Sequence, residues 1–322
     1  MSLSSLVSIV VPAYNASQTL CASIESLLSQ SLKDIEIIIV NDASQDNTLM
    51  IAEALAKRDS RVKVFDLDVN QGVYKARALG IEKASSPWIG FLDADDFAKP
   101  IMYEKLYEVA EEFDTDIVVC EADRVTPERK KISTKVSFQK SALLEKGFFE
   151  AYCKQILGTD ALWNKLYRAR LVKKWATIEH PFRQDNHEDA IINFGCFYDA
   201  KSVYLLKQSL YEYNQNPKSV TSKITNSDAF LSMIKAYLLT MRLFSDLDER
   251  SLEHIIEHYR IQLEWAVYTP ESLNLDNEKL AEILPMLLTC AQKKPEAIIA
   301  LMLRKPNNRK RGLKARIRGF FS

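Results

Sequence analysis

WIGFLDADD, residues 88–96, is an apolar run that ends in three carboxylates within four residues. The first five residues have the length and composition of a buried β-strand, so the acidic residues follow the point where that strand ends. Like charges at the end of a buried strand are costly unless a cation neutralises them. Because Mg²⁺ binds one or two carboxylates together with substrate phosphates, the stretch predicts a divalent metal ion beside a diphosphate. The alternative interpretation is a solvated acidic turn that caps the helix predicted to begin near Pro100.

Three other β-branched runs precede this strand, and segments with helical spacing of apolar residues separate them. The predicted strands are residues 7–11, 35–40 and 62–65. The second is nearly continuous in Ile and Val, as expected for a strand that is buried on both faces. Repetition of strand, helix and strand with short links predicts an α/β fold with a mainly parallel central sheet.

The loops after these strands are the candidate binding site, because ligands of a parallel α/β sheet bind outside the carboxyl ends of the strands. Polar or aromatic side chains occupy all four loops, at residues 11–15, 41–46, 70–72 and 93–96. Each loop alone is typical of a turn or a helix cap. The four together favour a ligand site.

The composition excludes several classes of protein. With 47% hydrophobic and 27% charged residues among 322, the chain is typical of a globular protein, and 43 basic against 43 acidic residues do not indicate a nucleic-acid-binding polycation. Five scattered cysteines without a CxxC pair argue against a disulfide framework or a structural zinc site. The absence of a basic leader and of a long apolar run predicts a cytoplasmic protein, soluble or peripheral at the inner face of the membrane.

Four motifs resemble the signature series of family 2 glycosyltransferases of the bacterial surface-glycan type, which are inverting enzymes with the GT-A fold. They are VVPAYN at 10–15, VNDASQD at 40–46, NQG at 70–72 with Ala76-Arg77, and FLDADD at 91–96. The resemblance covers residues 5–125 closely and continues more loosely to about residue 222. The chain departs from the commoner form at Asn41, where Asp is usual, and at Ala43, where Gly is usual.

The resemblance implies a nucleotide-sugar donor, with a uridine diphosphate sugar as the first expectation. Asp42 would hydrogen-bond the nucleotide base, and Pro12 and Tyr14 would line that base. Asp93 would lie at the ribose, and Asp95, with Asp93 beside it, would bind Mn²⁺ or Mg²⁺. The other residues that it places at the donor are Asn15, Gly72, Arg77 and Ala94.

An inverting transfer needs a general base for the acceptor hydroxyl, and a carboxylate with a raised pKa suits that task. Glu188 and Asp189 precede an apolar helical stretch, and alone they are typical of acids that stabilise a helix N-terminus. The family has a Glu-Asp pair here whose second member is usually the base. The resemblance therefore implies Asp189 as the base and Glu188 as the alternative. Trp163 and Lys165 belong to a segment common in bacterial members and are predicted on the acceptor side.

The expected organisation is a GT-A catalytic domain over residues 1–222, followed by a helical C-terminal region over 223–303. The domain would comprise a nucleotide-sugar-binding half, 1–125, and an acceptor-binding half, 126–222. The resemblance implies a hexosyl- or N-acetylhexosaminyltransferase that acts on a saccharide or glycolipid of a surface polysaccharide or lipopolysaccharide. A non-catalytic GT-A-like binding or scaffold protein is the alternative, and the sequence specifies no oligomeric state.

Two further signals lie in the C-terminal part of the chain. Residues 304–322 form a tail with eight basic and no acidic residues, and apolar residues at helical spacing within it favour binding to an anionic membrane surface over nucleic acid. A frayed, solvated terminus is the alternative. The run HIIEH at 254–258 matches a zinc-protease pattern, but an adjacent apolar stripe accounts for this helix by packing.

Overall fold

The computed structural model describes residues 5–179, 183–184, 186–215, 226–244 and 246–265, with a few isolated positions between 281 and 292. The strands are β1 (Val7–Ala13), β2 (Ile35–Asn41), β3 (Val62–Asp66), β4 (Trp88–Phe91), β5 (Phe97–Ala98), β6 (Ile117–Val125), β7 (Lys131–Val136), β8 (Ala142–Leu144), β9 (Lys165–Arg168) and β10 (Val203–Asn214). The helices are α1 (Leu20–Leu28), α2 (Thr48–Arg58), α3 (Val73–Lys83), α4 (Met102–Glu112), α5 (Phe148–Cys153), α6 (Ala169–Ala176), α7 (Glu188–Asp199), α8 (Asn226–Leu243) and α9 (Glu249–Trp265).

The strands form one mixed sheet in the order β3-β2-β1-β4-β9-β6-β10-β5, with β7 paired to β6 and β8 paired to β10. The pairs β1–β2, β1–β4, β2–β3 and β6–β10 are parallel, which confirms the mainly parallel sheet predicted from the sequence. Strand β9 is antiparallel to both of its neighbours, β4 and β6. It therefore separates a half of the sheet built from β1 to β4 from a half built around β6 and β10.

Close packing of α3 on β1 sets the position of the loops above the sheet. The strand residues Ile37 to Val40 of β2 have no exposed surface, as predicted for a strand covered on both faces. At Gly80 of α3, a Cβ atom would lie 2.4 Å from Cγ1 of Val10, so only Gly allows this approach of helix to strand. The N-terminus of α3 is thereby held at the carboxyl ends of the parallel strands.

The C-terminal part of the chain is helical where it is described. Helices α8 and α9 lie in the region 223–303 that the sequence predicts to be helical. Within the described ranges, no helix combines the length and the apolar composition that a membrane-spanning helix needs. The basic tail, residues 304–322, lies outside the described residues, and its binding to a membrane surface stays a prediction.

A buried carboxylate ties the amino ends of three strands together. Glu36 of β2 is 3% exposed and accepts hydrogen bonds from Oγ of Ser8 at 2.5 Å and from the backbone N of Ser85 at 2.6 Å. Nζ of Lys63 on β3 lies 2.5 Å from Oε2 of the same carboxylate. Burial by itself raises the pKa of Glu36, but the hydrogen bonds from Lys63, Ser8 and Ser85 outweigh burial and lower the pKa to about 2.

We expect Glu36→Gln to reduce the free energy of unfolding by about 2–3 kcal/mol at pH 7, because the ionised group is favoured in the folded state. Since the folded pKa lies below the unfolded value, this stability is present above the unfolded pKa and is lost as pH falls toward 2. Urea unfolding at pH 7 and pH 3 measures the difference. Glu82→Gln, which changes an exposed carboxylate on α3, is the matched control. If Glu36→Gln reduced the free energy of unfolding equally at both pH values, the result would contradict the assignment of this stability to the ionised carboxylate.

Candidate active site

The carboxylate of Asp42 joins the loops that follow β2 and β3. Asp42 is 3% exposed, and its Oδ1 accepts a hydrogen bond from the backbone N of Gln71 at 2.7 Å. Its Oδ2 accepts from the backbone N of Gly72 at 2.9 Å and from Nδ2 of Asn70 at 3.0 Å. Gly72, with φ of 90°, takes the backbone conformation that favours Gly and is the N-cap residue of α3. One lone pair of Oδ1 stays available for a donor such as a nucleobase N–H.

The loops after β1 and β2 are also joined, and they leave an aromatic face free. The backbone N of Asn15 donates to Oγ of Ser44 at 2.9 Å, and Oδ1 of Asn15 accepts from the backbone N of Gln45 at 2.8 Å. Tyr14, the residue before Asn15, has a side chain that is 40% exposed, and Pro12 is half-buried at the end of β1. An exposed tyrosine ring at this edge is suited to stacking on a planar base.

The two departures from the common family motif have local explanations. Asn41 is 1% exposed, and its Nδ2 donates to Oδ1 of Asp66 at 2.6 Å. An aspartate at this position would oppose the Asp66 carboxylate, so the amide removes a like-charge contact. Ala43 has φ of 52°, in the left-handed region that glycine adopts without a Cβ penalty, which accounts for the usual Gly.

The acidic loop 93–96 is bound to the end of β10. Asp96 is 1% exposed; its Oδ2 accepts a hydrogen bond from the hydroxyl of Tyr211 at 2.7 Å, and its Oδ1 accepts from the backbone N of Asn214 at 2.7 Å. Nδ2 of Asn214 donates to the backbone O of Asp95 at 2.9 Å. We assign Asp96 the role of positioning the acidic loop against β10. The sequence did not predict this role, although Asp96 belongs to the acidic run that indicated the site.

The acidic loop concentrates negative charge in a largely buried place. Burial raises the pKa of Asp95 to about 6, and the neighbouring charge of Asp93 contributes to the rise. The pKa of Asp96 is also raised, first by burial and then by Asp95 and Asp93. Within the described residues, no group of three His, Cys, Asp or Glu side chains could hold a metal ion. Asp93 and Asp95 would therefore supply only part of a coordination shell, and the oxygens of a diphosphate would complete it.

Arg77 of α3 links the acidic loop to the N-terminus of α7. The guanidinium side chain is 6% exposed, and its Nη2 donates to Oδ1 of Asp93 at 2.9 Å. Its Nη1 donates to Oδ1 of Asp189 at 2.5 Å and to Oε1 of Glu188. Three carboxylates therefore share one buried cation. Burial lowers the pKa of Arg77, but Asp189, Asp93 and Glu188 together raise it above its usual value, so the cation stays charged.

The environment of Asp189 is that expected of a general base. Burial raises the pKa of Asp189 well above its usual value, Arg77 opposes this rise, and the charges of Glu188 and Asp93 add to it. The side chain of Asp189 is 18% exposed, whereas that of Glu188 is 6% exposed. Asp189 is therefore the more accessible member of the pair. Both acids also lie in the first turn of α7, as the helix interpretation of the sequence predicts.

The two residues predicted on the acceptor side, Trp163 and Lys165, differ in their contacts. Trp163 stacks on Tyr211, with ring centroids 4.3 Å apart and an interplanar angle of 18°. Lys165 is fully buried, and its Nζ donates to the backbone O of Thr159 at 3.0 Å and of Ala161 at 2.5 Å. Burial lowers the pKa of Lys165 to about 8. The Lys165 ammonium therefore holds the turn that carries Trp163 and does not face a surface that an acceptor can reach.

The histidines of the 254–258 run are engaged in packing. His258 is fully buried, with Nδ1 3.0 Å from the backbone O of Cys153 and Nε2 3.2 Å from Oδ2 of Asp160. Nε2 of His254 lies 3.6 Å from a different carboxylate, that of Glu150. This arrangement supports the packing interpretation of α9.

Comparisons with known proteins identify the family. The sequence profile of glycosyl transferase family 2 matches residues 8–175, and the chain belongs to this family. It is 36% identical over 221 residues to the uncharacterized glycosyltransferase EpsJ of Bacillus subtilis (strain 168), covering 67% of this chain and 63% of that relative. It is 29% identical over 260 residues to the uncharacterized glycosyltransferase YibD of Escherichia coli (strain K12), covering 80% of this chain and 75% of the relative.

The fold is that of GT-A enzymes. The crystal structure of S. aureus TarS 1-349 in complex with UDP-GlcNAc matches with a TM-score of 0.70 at 20% sequence identity. The match covers 92% of this chain and 83% of that chain. The fold predicted from the four motifs is therefore confirmed.

Proposed function

We propose that the chain is an inverting glycosyltransferase that moves a hexose or N-acetylhexosamine from a UDP-sugar to a hydroxyl of a bacterial surface glycan or glycolipid. The observation that best supports this proposal is that Arg77 donates hydrogen bonds both to Asp93 and to Asp189. The candidate base is thereby linked to the loop that would hold the donor. The proposed catalytic domain is residues 1–222, with the donor bound by 1–125 and the acceptor by 126–222.

The donor would lie across the loops at the carboxyl ends of β1, β2 and β4. Tyr14 would stack on the uracil, and the free lone pair of Asp42 would accept its N–H. UDP-GlcNAc is the ligand of the TarS complex, which supports a UDP-sugar as the donor here. Mn²⁺ or Mg²⁺ bound to Asp95 and Asp93 would offset the negative charge that develops on the diphosphate leaving group.

The acceptor hydroxyl would meet Asp189 on the opposite side of the donor sugar. The Asp189 carboxylate would take the proton of the acceptor hydroxyl as the hydroxyl oxygen attacks the anomeric carbon and the bond from that carbon to the diphosphate breaks. Arg77 would hold the Asp189 carboxylate in place and oppose the rise of its pKa that burial causes. A scaffold protein would gain nothing from three carboxylates gathered on one buried guanidinium, since buried charges are costly.

The first test is titration calorimetry of UDP with and without Mn²⁺. We expect binding that is strengthened by the metal, and an affinity loss of about tenfold or more in Asp95→Asn, which corresponds to about 1.4 kcal/mol. Asp114→Asn is the matched control, because the Asp114 side chain is 93% exposed and pairs with Arg168 away from the donor loops. Binding of GDP or CDP in place of UDP would indicate a GDP-sugar or a CDP-sugar as the donor. If the folded protein bound no nucleotide, the result would favour the scaffold alternative.

A further inference from the structure

A cation lies over the aromatic side chains beside the acidic loop. Nζ of Lys135 on β7 lies 3.9 Å from the ring centroid of Tyr213 and 5.8 Å from that of Trp163. Trp163 in turn stacks on Tyr211, whose hydroxyl binds Asp96. The ammonium therefore stands at the junction of the aromatic cluster with the candidate active site, and neither the motifs nor the base assignment uses it.

A second cation, Arg124, accompanies Lys135. Burial lowers the pKa of Lys135, and the positive charge of Arg124 lowers it further, while the negative charges of Asp96 and Asp93 oppose both effects. Nη1 of Arg124 lies 3.5 Å from the backbone O of Thr134. In the described part of the chain neither cation forms an ion pair, and the segment 216–225 that follows β10 contains no Asp or Glu. Two neighbouring cations that form no ion pair with a described residue are suited to bind an anion.

The position of the two cations favours the acceptor over the donor as the source of this anion. Arg124 and Lys135 lie on β6 and β7, and β9 separates β6 from β4 in the sheet. The donor loops after β1, β2 and β3 lie on the other side of β9, and only the acidic loop after β4 reaches the end of β10. The partly exposed ring of Tyr213 beside the cations is also suited to the apolar face of a sugar ring, whereas a diphosphate needs no such surface.

We propose that Lys135 and Arg124, with Tyr213 and the buried Trp163 packed beside it, form a subsite that binds a phosphate or carboxylate group of the acceptor. The inference rests on the proposed function and deepens it, since it names an acidic glycan or a glycan phosphate as the acceptor class. The ammonium and guanidinium would hold the acidic group while Tyr213 contacts the adjoining sugar or polyol. The acceptor hydroxyl that reacts would then be directed toward Asp189.

The test measures binding of small anions to protein saturated with UDP and Mg²⁺, by the change in tryptophan fluorescence. The probes are glycerol 1-phosphate and glucuronate, and their neutral counterparts are glycerol and glucose. We expect saturable binding of at least one anion and none of its neutral counterpart. Lys135→Met should weaken this binding about tenfold or more, Lys135→Arg should retain most of it, and UDP affinity should stay unchanged in both.

Lys130→Met is the matched control, because it removes one positive charge from the exposed turn between β6 and β7. Equal anion affinity in wild type, Lys130→Met and Lys135→Met would overturn the proposal, as would the absence of anion binding to wild type that binds UDP. Competition between the anions and UDP, with UDP affinity lost in Lys135→Met, would assign the cations to the donor diphosphate and also overturn it. Anion binding that depends on Lys135 in a protein that never binds UDP would support the subsite and contradict the UDP donor.

Discussion

Asp189→Asn is expected to slow sugar transfer by about 10³-fold while UDP affinity stays within about twofold of wild type, because general-base catalysis contributes roughly 10²–10⁴-fold. The amide has the shape of the carboxylate, and its Oδ1 can still accept the hydrogen bond from Arg77, so the fold should persist. It cannot take a proton from the acceptor hydroxyl. The measurements are UDP release from UDP-GlcNAc with a panel of glycan acceptors, and UDP titration calorimetry on the same preparations.

Glu188→Gln is the matched control for this prediction, because it removes the neighbouring carboxylate, which contacts the same Nη1 of Arg77 and is less exposed. We expect a loss of about tenfold or less, since this carboxylate only helps to set the local charge. In wild type, kcat/KM should rise with pH as Asp189, whose pKa is raised by burial, becomes ionised. This rise should be absent in Asp189→Asn. A larger loss in Glu188→Gln than in Asp189→Asn would transfer the role of base to Glu188.

Arg77→Met is expected to lower the free energy of unfolding by about 3–5 kcal/mol at neutral pH and to reduce transfer by at least about 10²-fold. The substitution keeps an unbranched side chain but removes the cation that three carboxylates share. Asp93 would lose its anchor to α3, and Asp189 would lose the hydrogen bond that orients it. Urea unfolding and the UDP-release assay measure the two effects.

The loss of unfolding free energy in Arg77→Met should increase as pH rises. Burial and neighbouring carboxylates already raise the folded pKa of Asp189, and loss of Arg77 raises it further. A carboxyl group whose folded pKa exceeds its unfolded value disfavours folding increasingly as pH rises above the unfolded value. The deficit should therefore be larger at pH 8 than at pH 5. Arg58→Met, at a pair whose side chains are 55% and 47% exposed, should cost less than about 1 kcal/mol at either pH. A deficit that is independent of pH would show that packing, not charge, explains the loss.

Several features of the site follow from local sequence. The strand ends at residues 11–15, 41–46, 70–72 and 93–96 all reach the same edge of the sheet, because parallel strands present their carboxyl ends together. The grouping of Asp42 with Asn70 and Gly72 could therefore be expected from the motif order. The first-turn position of Glu188 and Asp189 in α7 also follows from the local pattern of acids before an apolar run.

Other features depend on how distant segments pack. Strand β9 runs antiparallel between β4 and β6, and no periodicity predicts its neighbours. The burial of Lys165 follows from this placement, and its contact with the acceptor stays a prediction. Asp96 is held by Tyr211 and Asn214, more than a hundred residues along the chain, so its positioning role could not be inferred from the acidic run.

The family, the GT-A fold and the loops predicted to form the donor site follow from the sequence alone, because strand burial, helix periodicity and loop chemistry act over a few neighbouring residues. The packing of distant segments was needed to show that Arg77 joins Asp93 to Glu188 and Asp189. It was also needed to show that Lys135 and Arg124 lie beside the aromatic cluster, with no ion pair to any described residue. These contacts depend on the path of the chain between α3, β7 and α7. The pKa of Asp189 depends on the same contacts, since burial and neighbouring charge are properties of the assembled fold.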